Sequence, residues 1–82
     1  MYFMHIMEFD ENVYIVGKTP EECIQNAIDA LEHMAVRYGG YEDYAEYLEV
    51  EHDTNAKDFT KWIESYYGAQ PIKIDRFYVW GE

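Results

Sequence analysis

Carboxylates are the reactive groups this sequence holds in excess. Asp and Glu number 17 against 6 Lys and Arg, giving a formal charge of −11. The densest run lies between Arg37 and Lys57, where no Lys or Arg interrupts Glu42, Asp43, Glu46, Glu49, Glu51 and Asp53. Tyr41, Tyr44 and Tyr47 are interleaved with the first of them. On a helix, Glu42, Glu46, Glu49 and Asp53 fall at i, i+4, i+7 and i+11 and share one face, with neighbouring Cβ atoms about 5–6 Å apart. If the second half is extended, Glu49, Glu51 and Asp53 lie on one side about 6.6 Å apart. Either ladder is spaced comparably to phosphates along a nucleic-acid strand. Like charges this close weaken a helix by a few tenths of a kcal/mol per pair. A small domain that tolerates them invites a functional reading, and tyrosine supplies rigid, amphipathic contact area. The competing reading is a solvated face that keeps the protein soluble, with the tyrosines in the core.

Other chemistry is thinly supplied. His5, His33 and His52 are dispersed and share no metal-ligand spacing. Asp53-Thr54-Asn55 with Glu64 matches the start and end of an EF-hand loop. However, Lys57 places a cation at the fifth position and Asp58 replaces the sixth-position glycine. A capped helix N-terminus accounts for the same residues. Cys23, the only cysteine, is flanked by Glu21 and Glu22, which oppose thiolate formation. It reads as a small helix-packing residue in a reducing compartment. There is no glycine-rich phosphate loop and no serine-nucleophile motif. The expectation is therefore no metal, no cofactor and no catalytic set.

The elements that would position the acids are partly legible. Length and composition fit one domain over residues 1–82. With 49% hydrophobic and 18% aromatic residues, the chain is too apolar to be disordered despite its charge. Residues 2–9 and 13–16 are rich in β-formers and predict an antiparallel hairpin, with Asp10-Glu11-Asn12 as the turn. Thr19-Pro20-Glu21-Glu22 combines an N-cap, proline at the first helical position and glutamate at the third. Ile24, Ala27, Ile28, Leu31, Met34, Ala35 and Tyr38 then recur at helical spacing, and Gly39-Gly40 closes a helix over 20–38. Residues 41–52 are ambiguous: Tyr41, Tyr44, Ala45 and Leu48 fit a helix, whereas Leu48, Val50 and His52 alternate with Glu49 and Glu51 as in a strand. A further helix, capped by Thr54 or Asn55, carries Phe59, Trp62, Ile63 and Tyr66 and stops at Gly68 and Pro71. Residues 72–80 alternate as a final strand. The predicted class is α+β, in the order β-β-α-(α/β)-α-β. A small antiparallel sheet, made of the hairpin plus the C-terminal strand, packs against two or three helices.

The stretch Val13-Tyr14-Ile15-Val16-Gly17-Lys18-Thr19-Pro20-Glu21-Glu22, with Asn26-Ala27 and Ala30-Leu31, resembles the strand-to-helix junction of HicB-type antitoxin domains. The chain has no basic DNA-binding extension, and no function is carried over from that resemblance.

The charge narrows the partners. A chain of −11 repels nucleic acid and anionic membranes, so direct nucleic-acid or membrane binding is not expected. No basic leader or long apolar run marks the N-terminal residues, which leads to an expectation of a cytoplasmic protein, including that of an infected bacterial host. The leading expectation is a non-enzymatic inhibitor, a nucleic-acid mimic blocking the channel of a basic nucleic-acid-binding protein such as a CRISPR effector or nuclease. In size, charge and aromatic content it resembles phage anti-CRISPR and anti-restriction proteins. Glu42, Asp43, Glu46, Glu49, Glu51, Asp53, Tyr41, Tyr44 and Tyr47 are the expected contact residues. The alternatives are an antitoxin-like or accessory domain that binds a basic protein, and, third, a small enzyme with a carboxylate site. Exhaustive chelation is expected to leave the circular-dichroism spectrum and melting temperature unchanged. Loss of structure with chelator would return attention to Asp53, Asn55 and Glu64.

Overall fold

The computed structural model describes residues 1–68 and 70–74. Strand β1 (Tyr2–Glu8) pairs antiparallel with β2 (Glu11–Gly17) in a register that sets Glu8 opposite Glu11 and Tyr2 opposite Gly17. The connection is a two-residue turn at Phe9-Asp10. Both residues have positive φ, 56° and 61°, as a type I′ hairpin turn requires. The expected turn at Asp10-Glu11-Asn12 is thus displaced, because Glu11 and Asn12 already belong to the ladder. A bulky residue at positive φ costs about 1–3 kcal/mol. Here the Phe9 ring packs on Tyr47 at 4.5 Å between centroids, which helps offset it.

Helix α1 (Pro20–Arg37) starts as the sequence predicts. Thr19 Oγ1 accepts from Glu22 N at 3.0 Å, and Glu22 Oε2 accepts from Lys18 N at 2.5 Å. This is a capping box whose returning arm reaches one residue beyond the cap. Gly40, at φ 73°, reverses the chain, and Tyr41 N donates to Ala35 O at 3.1 Å to close the helix end. Gly17 is required where β2 passes the start of α1, since a Cβ there would lie 2.5 Å from Cys23 N.

Residues 44–52 are helical throughout: α2 (Tyr44–His52) runs on to Asp53, whose φ of 51° ends it. The extended alternative for Glu49, Glu51 and Asp53 is therefore excluded. Helix α3 (Phe59–Tyr67) is capped by Asp58, not by Thr54 or Asn55. Asp58 Oδ1 accepts from Thr60 N at 3.1 Å and Lys61 N at 3.3 Å. A short β3 (Ile72–Lys73) pairs antiparallel with β1, giving the sheet order β2-β1-β3. Residues 75–80 of the expected final strand lie outside the described residues.

The three helices cover one face of the sheet. Met4, Ile6 and Ile15 meet Cys23, Ile24, Ala27, Leu31 and Ala35 from α1, Tyr44, Tyr47 and Leu48 from α2, and Ile63 from α3. The α1 stripe fades at its edges: Ile28 is only partly buried, and Tyr38, expected within it, is 69% exposed. No described helix is long and apolar enough to cross a membrane. Leu31, fully buried in mid-stripe, is the position whose truncation should be felt most. Leu31→Ala is expected to cost about 2–5 kcal/mol, read as a lower denaturant midpoint. An unchanged midpoint would mean the stripe is not the core.

Candidate functional site

Two groupings of polar side chains stand out, one outside the core and one at its edge. The outer one is the acidic face. Asp43 is the N-cap of α2, accepting from Glu46 N at 2.9 Å, while Glu46 Oε2 accepts from Glu42 N at 2.7 Å. The reciprocal arrangement of α1 is thus repeated with carboxylates at both positions, and it locks Glu42, Asp43 and Glu46 together. Glu49 follows one turn on, exposed, and Asp53 closes the helix, also exposed. Glu46 and Glu49 therefore occupy the solvent side of α2, as their spacing predicts, while Glu42 precedes its N-cap and Asp53 follows its last turn. Glu51 lies apart from that row and accepts a hydrogen bond from the Tyr41 hydroxyl. That bond, with burial and nearby acids adding to it, raises the Tyr41 pKa.

Two further acids join this face through the fold. Asp29 and Glu32 of α1 line one shallow concavity together with His33, Val36, Glu42 and Asp43. They sit on the side of α1 away from its apolar stripe. Their i, i+3 spacing was visible in the sequence; what was missing was the docking of the α1–α2 connection against that side. The result is a ridge of carboxylates from Asp29 through Glu42 and Glu46 to Asp53. Among the described residues, none of these carboxylates is paired with a lysine or arginine.

The tyrosines of the tract divide differently. Tyr41 is half-buried, whereas Tyr44 and Tyr47 are buried and belong to the core. Their rings stack on each other at 5.8 Å, with Phe9 and Phe59 against their outer sides. Tyr44 and Tyr47 therefore cannot offer contact area to a partner, and the expectation that they do is corrected by their packing.

The inner grouping surrounds Glu8. Its Oε2 accepts from the Tyr67 hydroxyl at 2.5 Å and lies 3.5 Å from His52 Nε2. Trp62 Nε1 donates to the Tyr44 hydroxyl at 3.3 Å. The His52 ring is boxed by Tyr47, Trp62 and Tyr66, with centroids 5.4, 5.7 and 4.9 Å away. The cluster joins the end of β1 to α2 and α3. Sequence spacing gave no sign of it, because Glu8, His52 and Tyr67 are far apart in the chain. Burial raises the pKa of Tyr44, and burial with the hydrogen bond to Glu8 raises those of Tyr47 and Tyr67. Cys23 is fully buried, which raises its pKa along with the Glu22 charge. Among the described residues, no group of three or more His, Cys, Asp or Glu is placed to hold a metal.

No family model, curated protein or solved structure matches the chain.

The raised phenol pKa values set an alkaline limit on the fold. The folded state holds Tyr44, Tyr47 and Tyr67 protonated above the pKa of about 10 that they have when unfolded. Their contribution is complete below that pH and is lost as pH rises through the folded values. Titration at 295 nm should show more than one step of phenol ionisation as pH rises above about 10. A later group should ionise together with the loss of circular dichroism. A single ionisation step for all nine tyrosines, with the fold intact, would contradict this.

Proposed function

We propose that this domain is a non-enzymatic, protein-binding inhibitor that offers its carboxylate ridge to the nucleic-acid-binding surface of a basic protein. One observation carries the reading. Asp29, Glu32, Glu42, Asp43, Glu46, Glu49 and Asp53 are all exposed and gathered by α1, the connecting loop and α2 into one ridge, with no lysine or arginine paired to it among the described residues. Such a ridge projects a negative field that attracts cations and repels nucleic acid. A partner surface built to bind phosphates carries the lysines and arginines that complement it, and inhibition then follows from occupancy. The CRISPR effectors and nucleases of the expectation above are examples of such partners.

Charge reversal on the ridge is the direct test. Glu46 is a poor target, because its carboxylate holds Glu42 N ahead of the Asp43 cap and reversal there would disturb folding as well as charge. Glu32 and Glu49 are exposed and make no capping bond. Glu32→Lys with Glu49→Lys is expected to shift stability by less than about 1 kcal/mol. The same pair should weaken association with a nucleic-acid-binding partner at least tenfold, since like charges then meet across the interface. Wild-type binding should weaken as salt rises, the Debye length falling from about 10 Å at 0.1 M to about 3 Å at 1 M. The measurements are a melting curve and a competition assay against the partner's nucleic acid. A double variant that folds and competes like wild type would refute the proposal.

A further inference from the structure

The hairpin register fixes which backbone groups of β2 face away from β1. With Glu8 opposite Glu11 across a two-residue turn, Glu11, Val13, Ile15 and Gly17 exchange hydrogen bonds with β1. Asn12, Tyr14 and Val16 then point their N–H and C=O groups outward along the edge of the sheet. The Val16 end is closed: Asn26 Nδ2 donates to Val16 O at 2.9 Å. No partner is found among the described residues for the outward groups of Asn12 and Tyr14.

The open part of that edge coincides with a groove. A concavity of about 730 Å³ runs between β2 and the second half of α1, lined by Phe9, Val13, Tyr14, Ala30, Met34 and Tyr38 among others. An unpaired strand edge beside an apolar groove is the arrangement that accepts an added strand. Main-chain bonds supply affinity, and alternate side chains enter the groove. Glu11 stands at one end of the groove, and His33 belongs both to it and to the acidic concavity holding Asp29, Glu32, Glu42 and Asp43.

We infer that the Asn12–Tyr14 edge and the groove beside α1 bind an extended segment of a partner protein by strand addition, with an apolar side chain in the groove and lysine or arginine flanking it. The basic flanks rest on the proposed function; the strand pairing does not. A second copy of this chain is the less suitable occupant. It would bring another net charge of −11, and an antiparallel β2–β2 pairing centred on Tyr14 would need the Val16 carbonyl that Asn26 already occupies.

The test uses the full chain and three blocked seven-residue peptides: lysine at both ends, threonine at the third and fifth positions, and valine, leucine or phenylalanine at the second, fourth and sixth. Amide exchange and chemical shifts are followed by NMR. Asn12 and Tyr14 amides should exchange freely in the isolated protein and become protected when a peptide binds. Tyr14→Pro removes an outward donor without breaking a bond to β1, and should weaken binding about tenfold, the weight of one hydrogen bond. Tyr14→Ala keeps the donor and separates that effect from loss of the ring. N-methylation of the peptide backbone should abolish binding and requires no change in the protein, so the answer survives a Tyr14→Pro chain that fails to fold. Protection of Asn12 and Tyr14 in the isolated protein would overturn the inference, and concentration-dependent protection would identify a second copy as the occupant. Absence of binding by all three peptides at about 1 mM would overturn it too, as would equal binding by the N-methylated peptide. Equal binding by peptides with glutamate in place of lysine would remove the basic flanks and count against the proposed function, leaving strand addition standing.

Discussion

Burial of Tyr44 and Tyr47 determines how α2 is turned, and the surface of the molecule follows from that rotation. The two rings enter the core side by side, between Phe9 at the hairpin turn and Phe59 at the start of α3. With Tyr44, Tyr47 and Leu48 inward, Glu46 and Glu49 must point out, whatever repulsion they feel. The hairpin depends on the same contact from the other side. Phe9 adopts a left-handed backbone that a bulky side chain otherwise avoids, and its ring is held by Tyr47.

This dependence explains which parts of the fold could be read from the chain. Helix α1 was legible because local and long-range signals agree: the Thr19–Glu22 box, Pro20, the apolar stripe and Gly40 all specify the same element. In α2 they conflict. Val50 is 61% exposed, and it is this surface valine between two glutamates that imitates strand alternation. Only the packing of Tyr44 and Tyr47 on Phe9 and Phe59 resolves the choice, and those partners are remote in sequence. The cap of α3 was misplaced because Thr54 and Asn55 have the right chemistry but precede Asp58, which meets the first orphan amides. The turn moved for a similar reason, since Phe9 is an improbable turn residue until the ring beneath it is known.

The candidate site was legible to the same degree. The outward placement of Glu46 and Glu49 follows from helical spacing alone, whereas Glu42 and Asp53 lie beyond the two ends of α2. The interface tyrosines do not, because amphipathic residues at helical spacing suit a core and a contact surface equally, and tertiary packing decides between them. Asp29 and Glu32 became part of the ridge only when the loop after α1 placed Glu42 and Asp43 beside them.

The way the carboxylates are satisfied bears on what the ridge can do. A lysine or arginine beside a carboxylate offsets its field. Among the described residues, the hydrogen-bond donors to these acids are neutral groups, and Glu8 has His52 beside it as well. Backbone amides bond Glu22, Asp43, Glu46 and Asp58, phenols bond Glu8 and Glu51, and the Gln25 amide bonds Asp29. Hydrogen bonds of this kind fix a carboxylate's position without placing a cation beside it. Of the ridge acids, Asp29, Asp43 and Glu46 are held in this way. Ordering reduces the entropy lost when a partner binds, and retained charge preserves the field that steers it. Solubility alone requires neither, since disordered and exchangeable surface acids would serve as well. The fixed positions of Asp29, Asp43 and Glu46, more than the size of the net charge, are what support the proposed recognition over a merely solvated face.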